Sequence, residues 1–99
     1  MLHVHIMYIL ECSNNQYYVG STHDLDLRIK QHQAGEGSIF TKKHLPVKLV
    51  YYEEFQRIDE AFAREHQIKG WNRQKKEALI NHQQDLLPEL SKARKKQNL

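Results

Sequence analysis

Two charged side chains fall at positions where the sequence pattern calls for an apolar residue. Glu65 lies in the middle of an apolar helical stripe, and Arg28 lies on the largely apolar face of an earlier helical segment. An ionised carboxylate facing a core is costly unless it is paired, hydrogen-bonded or bound to a metal. Two arrangements are therefore open: a buried ion pair with Arg28, or a divalent cation at Glu65 with Arg28 beside it to receive an anion.

Two tyrosines, Tyr8 and Tyr18, are expected to lie side by side on neighbouring strands. Ser13, Asn14 and Asn15 separate the two segments, and such side chains bond their own backbone and tolerate left-handed dihedrals. The segments can therefore pair as a hairpin, which brings the two phenol groups together. Half-buried tyrosines are common on strands, so the pattern alone leaves a packing role and a chemical role open.

The elements that must position these residues follow from the spacing of apolar side chains. Strands are predicted over residues 3–11, 16–21 and 47–55, and the first is expected to be central because both of its faces are apolar. In the third strand, Val47, Leu49 and Tyr51 are expected on one side. The stretch from Gly35 to Pro46 is predicted to be a mobile loop.

Two helices are expected to carry the polar candidates on inward faces. The first, capped by Ser21 or Thr22 and running to about Ala34, places Arg28 and His32 on one face. The second begins near Ile58 or Asp59. Its expected inward face consists of Ile58, Ala61, Phe62, Glu65, Ile68, Lys69 and Asn72. A basic helix from Asn72 to about His82 and a short helix after Asp85 complete the prediction.

Size and composition limit the class of protein. The 99 residues suffice for one domain, and the single cysteine, Cys12, excludes an internal disulfide framework and suggests a reducing compartment. No apolar run is long enough to span a membrane, and the N-terminus lacks the zones of a signal peptide. We therefore expect a cytoplasmic protein without membrane contact.

Positive charge collects in the C-terminal third of the chain. Residues 1–62 hold six Lys/Arg and eight Asp/Glu, whereas residues 63–99 hold nine and four. Such a distribution suits a polyanionic partner, although a solvated basic helix has the same composition.

Taken together, Tyr8, Tyr18-Val19-Gly20, Arg28, His32 and Glu65 resemble the GIY-YIG nuclease superfamily, and the segment from Ile68 to Lys76 is similar to its small single-domain bacterial members. The resemblance runs from about Val4 to Ile80. It implies an α+β fold, a three-stranded antiparallel sheet flanked by helices in the order ββαβαα with a short C-terminal helix. The nuclease-like domain would cover residues 1–84, followed by a short helix and basic tail over residues 85–99. One departure is that Ile6, Met7 and Tyr8 stand where the family name has Gly, Ile and Tyr.

The resemblance also implies roles for individual residues. Tyr8 would activate water as general base, Tyr18 would position that water, Arg28 would face the phosphate, His32 would relay a proton or bond the phosphate, and Glu65 would bind Mg²⁺ or Mn²⁺. Gly20 would permit close approach of the substrate. Nucleic-acid contacts are expected from Gly20, Lys69, Asn72, Arg73, Lys75 and Lys76.

These residue types suit hydrolysis of a phosphodiester, which needs a nucleophile and neutralisation of phosphoryl charge. A tyrosine of ordinary pKa is a phenolate only about once in a thousand at pH 7. A cation near Tyr8 is expected to raise that fraction. The resemblance thus implies a metal-dependent endonuclease acting on DNA, in repair or recombination, with RNA also possible as substrate.

Two other functions are compatible with the sequence. One is a nucleic-acid-binding module without cleavage, which would hold a polyanion through Arg64, Lys69, Arg73, Lys75 and Lys76. The other is a nuclease subunit that depends on a protein partner for specificity.

Overall fold

The computed structural model describes residues 4–81, which contain a three-stranded antiparallel sheet flanked by helices. The strands are β1 (His5–Glu11), β2 (Tyr17–Thr22) and β3 (Lys48–Phe55), and the helices are α1 (Leu25–Gln33), α2 (Ile39–Lys43), α3 (Ile58–Lys69) and α4 (Arg73–Ile80). The predicted α+β fold is confirmed, with α2 as an added element. The chain divides into two compact units, Met1–Lys69 and Gly70–Leu99. The predicted boundary at residue 84 and the helix after Asp85 lie outside the described residues.

Strand β1 forms the centre of the sheet, as its two apolar faces predict. The strand order is β2-β1-β3, and the side chains of Met7, Tyr8, Ile9 and Leu10 are fully buried. Burying an apolar side chain of this size contributes about 2 kcal/mol. This buried strand therefore fixes the position of Tyr8 relative to the neighbouring strands and helices.

The first hairpin closes through the predicted turn. Asn15 adopts a left-handed conformation with φ of 67°, and the Cys12 amide donates to the Gln16 carbonyl over 2.9 Å. The resulting register pairs Tyr8 with Gly20 and Leu10 with Tyr18. Because paired residues point to the same side of a sheet, the two phenol groups share one face.

A β-bulge changes the expected alternation in β3. Leu49 pairs with Leu10 and Tyr51 pairs with Ile9, so the register shifts by one residue between them. Since Ile9 and Leu10 point to opposite faces, Leu49 and Tyr51 do too. The prediction that Leu49 and Tyr51 share a side is wrong, because strict alternation cannot reveal an inserted residue.

Helix α1 begins two residues later than the predicted cap at Thr22 and three later than the one at Ser21. Strand β2 extends through Thr22, and Asp24 is the N-cap, its side chain accepting from the Leu27 amide over 3.1 Å. The helix ends in a Schellman motif, with left-handed Gly35 and a 2.8 Å bond from the Glu36 amide to the Gln31 carbonyl.

Helix α2 lies in the stretch that was expected to be a mobile loop. Ser38 is its N-cap, and the Ser38 hydroxyl accepts from the Thr41 amide over 3.0 Å. One turn of helix has too few residues for an apolar periodicity to be visible in sequence. The loop prediction is therefore wrong at residues 39–43.

Helix α3 buries a narrower face than predicted. Ala61, Glu65 and Ile68 are buried as expected, but Ile58 and Phe62 are 68% and 55% exposed. The apolar face of α3 is therefore wider than the part of the helix that the sheet covers.

Helix α4 belongs to the second unit and is capped by Asn72, whose side chain accepts from the Lys75 amide over 2.9 Å. It ends at Ile80, two residues short of the predicted end. None of the helices within residues 4–81 has the length and apolar character needed to cross a membrane.

Candidate active site

A chain of buried polar groups runs from Tyr8 into the interior beside α1 and α2. The Tyr8 hydroxyl lies 2.8 Å from His32 Nε2, and His32 Nδ1 lies 2.8 Å from the Thr41 hydroxyl. Tyr8, His32 and Thr41 are each fully buried. Helix α1 supplies the histidine and α2 supplies the threonine, so both helices are needed to hold the imidazole.

The hydrogen bonds of Thr41 suit one tautomer of His32. The Thr41 hydroxyl can donate to the Ser38 carbonyl over 3.3 Å and also lies 2.8 Å from the Ser38 hydroxyl, and in this arrangement its oxygen accepts from Nδ1–H of His32. Nε2 is then unprotonated and accepts from the Tyr8 hydroxyl. Burial, with a smaller contribution from Arg28, lowers the pKa of His32, which keeps the ring neutral.

Arg28 approaches the same hydroxyl from its other side. Arg28 Nε donates to the Tyr8 oxygen over 3.3 Å, and Nη1 donates to the Gln31 side chain over 3.2 Å. The bond to Tyr8 raises the pKa of Arg28, so its guanidinium is permanently charged. Tyr8 therefore lies between a neutral base and a fixed cation.

Burial has a larger effect on Tyr8 than the neighbouring cation. Desolvation raises the pKa of Tyr8 to about 12, although the bond from Arg28 acts in the opposite direction. Arg28 favours the phenolate as expected, but desolvation of the fully enclosed ring outweighs this contribution, so the Tyr8 phenol is less acidic than usual.

Tyr18 packs against the histidine. Its ring centroid is 5.1 Å from that of His32 and 6.4 Å from that of Tyr8, and it stacks with Phe40 at 6.4 Å. These contacts place Tyr18 beside the Tyr8–His32 pair, where it helps to fix the orientation of both rings. Its predicted role in positioning water stays a prediction.

Two glycines make room for the central pair. A Cβ at Gly20 would lie 2.6 Å from the Tyr8 hydroxyl oxygen, so the ring can pass over β2 only because this residue has no side chain. A Cβ at Gly37 would collide with Nδ1 of His32. The sequence alone does not indicate that residue 37 must be glycine, because the collision with His32 depends on how the chain folds back after α1.

We expect Gly37→Ala to lower the free energy of unfolding by about 2 kcal/mol, since His32 is fixed by bonds on both ring nitrogens and cannot move without strain. Urea denaturation measures the loss, and the imidazole resonances of His32 should shift. Gly35→Ala is the control: it introduces a left-handed alanine, at about 1 kcal/mol, and its Cβ would meet only the flexible side chain of Lys42. An alanine at residue 37 with wild-type stability and unchanged His32 resonances would contradict the packing described here.

Glu65 does not form the ion pair with Arg28 that was one of the two arrangements open from the sequence; Ser21 and Lys69 hold it instead. The Ser21 hydroxyl donates to Oε1 over 2.7 Å, and Lys69 Nζ pairs with Oε2 at 2.5 Å. The Glu65 side chain is 9% exposed and Lys69 is 49% exposed. The structure thus shows Glu65 paired with Lys69, one turn along α3, and Arg28 bonded to Tyr8.

The Glu65 carboxylate fits a Mg²⁺ or Mn²⁺ ion that is shared with a substrate. Hard oxygen ligands suit Mg²⁺, which is commonly held by one or two carboxylates together with water and substrate phosphate. Within residues 4–81 there is no group of three or more His, Cys, Asp or Glu side chains able to hold a metal. A complete protein cage is therefore absent from the described part of the chain, and Glu65 would supply a single carboxylate.

The basic residues proposed as nucleic-acid contacts differ in burial and in the groups that they contact. Arg64 is buried, 6% exposed, and forms two bonds with Glu53, so it does not belong to the cationic surface predicted for a binding module. Lys69 faces Glu65. In the second unit, Arg73 pairs with Glu77 at 3.1 Å and Lys75 lies 5.9 Å from the centroid of the Trp71 ring. Contacts from Asn72, Arg73, Lys75 and Lys76 to nucleic acid stay a prediction.

Sequence reasoning missed three polar residues that complete the site. Ser21 was considered only as a helix cap, and Ser38 and Thr41 lay in the presumed loop. Ser38 is a residue type that often caps the start of a helix, and this was the available signal for α2.

A family model and several known proteins match most of this chain. The family model described as the GIY-YIG catalytic domain matches residues 4–78. The UPF0213 protein HQ_3675A of Haloquadratum walsbyi is 42% identical over 82 residues, covering 83% of this chain and 92% of that relative. The UPF0213 protein SAV0488 of Staphylococcus aureus is 42% identical over 76 residues, covering 77% and 93%.

A solved structure shares the fold. The solution NMR structure of the UPF0213 protein BH0048 from Bacillus halodurans is 40% identical, covers 79% of this chain and 83% of its own, and superposes with a TM-score of 0.52. Together with the match over residues 4–78, this likeness shows that the chain belongs to the GIY-YIG family, among its small single-domain members.

Proposed function

We propose that this protein is an endonuclease that nicks DNA in the presence of Mg²⁺ or Mn²⁺. The observation that carries the proposal is the placement of the Tyr8 hydroxyl between His32 Nε2, at 2.8 Å, and Arg28 Nε, at 3.3 Å. A tyrosine needed only for packing would not require both a neutral base and a fixed cation. Membership of a nuclease family supports the same activity.

Arg28 is suited to bind the phosphate that is attacked. Its guanidinium is charged at every accessible pH and lines the open groove between α1 and α3. One Nη group is bonded to Gln31, which limits the rotation of the side chain. A guanidinium held in this way can meet a phosphoryl oxygen without reorganising as charge develops there.

Tyr8 and His32 together provide a path for the proton of the attacking water. At a pKa of about 12, only about one Tyr8 in a hundred thousand is ionised at pH 7, so a resident phenolate is not the working state. The water can instead give its proton to the Tyr8 oxygen while Tyr8 gives its own proton to His32 Nε2. Thr41 keeps the receiving nitrogen unprotonated by accepting from the other side of the ring.

Glu65 is the residue that would hold the metal, and Ser21 fixes the orientation of its carboxylate through the 2.7 Å bond. A bound divalent ion supplies positive charge to the phosphoryl and leaving oxygens. Oε1 accepts from Ser21 and Oε2 is paired with Lys69, so Lys69 would have to release Oε2 for that oxygen to hold a metal.

We expect Lys69→Met to increase the affinity for Mn²⁺ about two- to fivefold, because the ammonium competes with the metal for Glu65 Oε2. That range corresponds to the worth of a part-exposed ion pair. Paramagnetic broadening of the Ser21 amide during a Mn²⁺ titration gives the dissociation constant. Lys48→Met, which removes the same charge from β3 at the opposite edge of the sheet, should leave the constant unchanged. Equal constants for the wild type and Lys69→Met would show that Lys69 does not compete.

Basic residues outside the central site would hold the nucleic acid. Lys69, once released from Glu65, can contact a phosphate, and Asn72, Arg73, Lys75 and Lys76 add polar and cationic groups around the start of α4. Such contacts recognise the backbone and do not separate DNA from RNA. Repair or recombination would supply substrates for a nick of this kind.

Incubation of purified protein with supercoiled plasmid tests the proposal. Open circles should form with Mg²⁺ or Mn²⁺ and should be absent with EDTA. A labelled RNA of matching sequence, tested in parallel, reports the choice between DNA and RNA.

Retention of plasmid without nicking in either metal would refute the endonuclease proposal. Such a result, with binding that weakens steeply as salt increases, would favour the binding module instead.

A further inference from the structure

The groove between α1 and α3 combines a charged end with an apolar wall. It has a volume of about 460 Å³ and is lined by Leu27 and Arg28 from α1 and by Ile58 and Phe62 from α3. Ser21, the residue that orients Glu65, also lines it. The groove therefore opens directly from the proposed catalytic site.

The apolar wall is unusual for this protein. Leu27, Ile58 and Phe62 are 51%, 68% and 55% exposed, and they are three of the five large hydrophobic side chains exposed within residues 4–81. Scattered exposed apolar residues are ordinary, whereas three that line one groove indicate a binding surface.

A nucleotide has the matching distribution of groups. Arg28 and Leu27 line the same groove, so a phosphate on the guanidinium has its nucleoside within reach of Leu27 and the facing residues of α3. A nucleobase presents two apolar faces, which pack well on aromatic and aliphatic side chains. The charged and apolar parts of the groove thus correspond to the phosphate and the base of one nucleotide.

The size of the groove distinguishes a nucleotide from a protein partner. A volume of about 460 Å³ lies in the range of small-molecule sites, whereas a stable protein interface buries about 800 Å² on each partner. Three side chains do not offer that area.

We propose that the Leu27–Ile58–Phe62 surface binds one unstacked nucleobase, belonging to the nucleotide next to the phosphate that is cut. The subsite rests on the proposed endonuclease function and adds to it a contact with a base at a defined position. The base is held by packing on both walls of the groove, while Arg28 holds the adjoining phosphate. The contact selects for a base that can leave its stack.

Binding of DNA strands that each lack one base tests the subsite. The cut position is mapped first with the wild type, and binding is then measured by fluorescence anisotropy with Ca²⁺ in the Tyr8→Phe background. One abasic position beside the mapped phosphate should weaken binding about tenfold, the expected loss of one stacked base, and other positions should change it less than twofold.

Phe62→Ser should weaken binding of the intact strand about as much and remove the effect of the abasic position. Ile39→Ser is the matched control, because Ile39 is 77% exposed on α2 and does not line the groove. This variant should bind like the background protein. Thermal unfolding of Phe62→Ser should match the wild type, since the side chain is half exposed.

If every abasic strand binds equally well and the wild type still cuts, the subsite proposal is overturned and the endonuclease proposal stands. If the wild type does not cut, no position can be mapped; an abasic effect at one position that Phe62→Ser removes would then show that this surface binds a base, while refuting cleavage and the placement of that base beside a cut phosphate. A wild type that sediments as a dimer and becomes a monomer with Phe62→Ser would assign the surface to a second copy of the chain and overturn the proposal.

Discussion

Tyr8→Phe should nearly abolish cleavage, lowering the single-turnover rate about a thousandfold. The substitution keeps the ring and removes only the hydroxyl that links the attacking water to His32, and acid–base groups of this kind contribute about 10² to 10⁴ in rate. DNA binding measured with Ca²⁺ should stay within about twofold of wild type. Stability should fall by about 1 to 3 kcal/mol, because His32 Nε2 and Arg28 Nε lose a partner.

Tyr52→Phe is the matched control for this prediction. Tyr52 lies directly opposite Tyr8 in the β1–β3 pairing and is 48% exposed. Its hydroxyl has no part in the proposed proton path, so the rate should equal that of wild type. Cleavage by a folded Tyr8→Phe protein at the wild-type rate would remove Tyr8 from the chemistry.

Arg64→Met should lower the free energy of unfolding by about 3 kcal/mol. Arg64 is 6% exposed and donates from Nε and Nη2 to the two oxygens of Glu53, at 2.8 and 3.0 Å, while Glu53 is 17% exposed. Removing one partner of a buried pair leaves the other charge uncompensated, which costs about 3 to 5 kcal/mol. Urea denaturation monitored by circular dichroism gives the value.

The exposed pair Arg57–Asp59 provides the comparison. Its side chains are 70% and 63% exposed, so water screens the pair and Arg57→Met should destabilise the protein far less than Arg64→Met. Arg64→Met combined with Glu53→Gln should recover part of the lost stability, because no uncompensated charge remains. Equal, small losses for Arg64→Met and Arg57→Met would show that the Arg64–Glu53 pair is not a buried structural contact.

Periodicity was sufficient to place Arg28 and His32 on the same face of one helix. Arg28 and His32 are four residues apart on a helix, so one turn brings both side chains to the same face whatever the rest of the fold does. The turn residues before Tyr17 likewise fixed a hairpin, and with it the approach of Tyr8 and Tyr18. Each of these predictions depends only on neighbours within about a dozen residues.

The partners of these residues depend on contacts between distant parts of the chain. Arg64 and Glu65 are adjacent charges on α3, and sequence gave no reason why Arg64 should be the one buried against Glu53 while Glu65 pairs with Lys69. The outcome depends on the position of β3 relative to α3. The contact between Thr41 and His32 could not be predicted, because it depends on α2, and a helix of a single turn leaves no periodic pattern in the sequence.

Ile58 and Phe62 were predicted to face inward but are exposed. Their spacing placed them on the apolar face of α3, but a helix face extends beyond the sheet that it covers. Whether the excess is buried or forms a groove depends on the neighbouring helix, here α1, whose position follows from the turn at Thr22 and Asp24.

Comparing the wild type with Glu65→Gln on one labelled duplex, in Mg²⁺ and under single-turnover conditions, is the most direct test of a metal-dependent site built around Tyr8 and Glu65. The substitution preserves the shape of the side chain and its bond from Ser21 but removes the charge that would hold the metal. The wild type should cut, and identically purified Glu65→Gln should bind the duplex and leave it intact. Equal cutting by the two proteins would contradict the account.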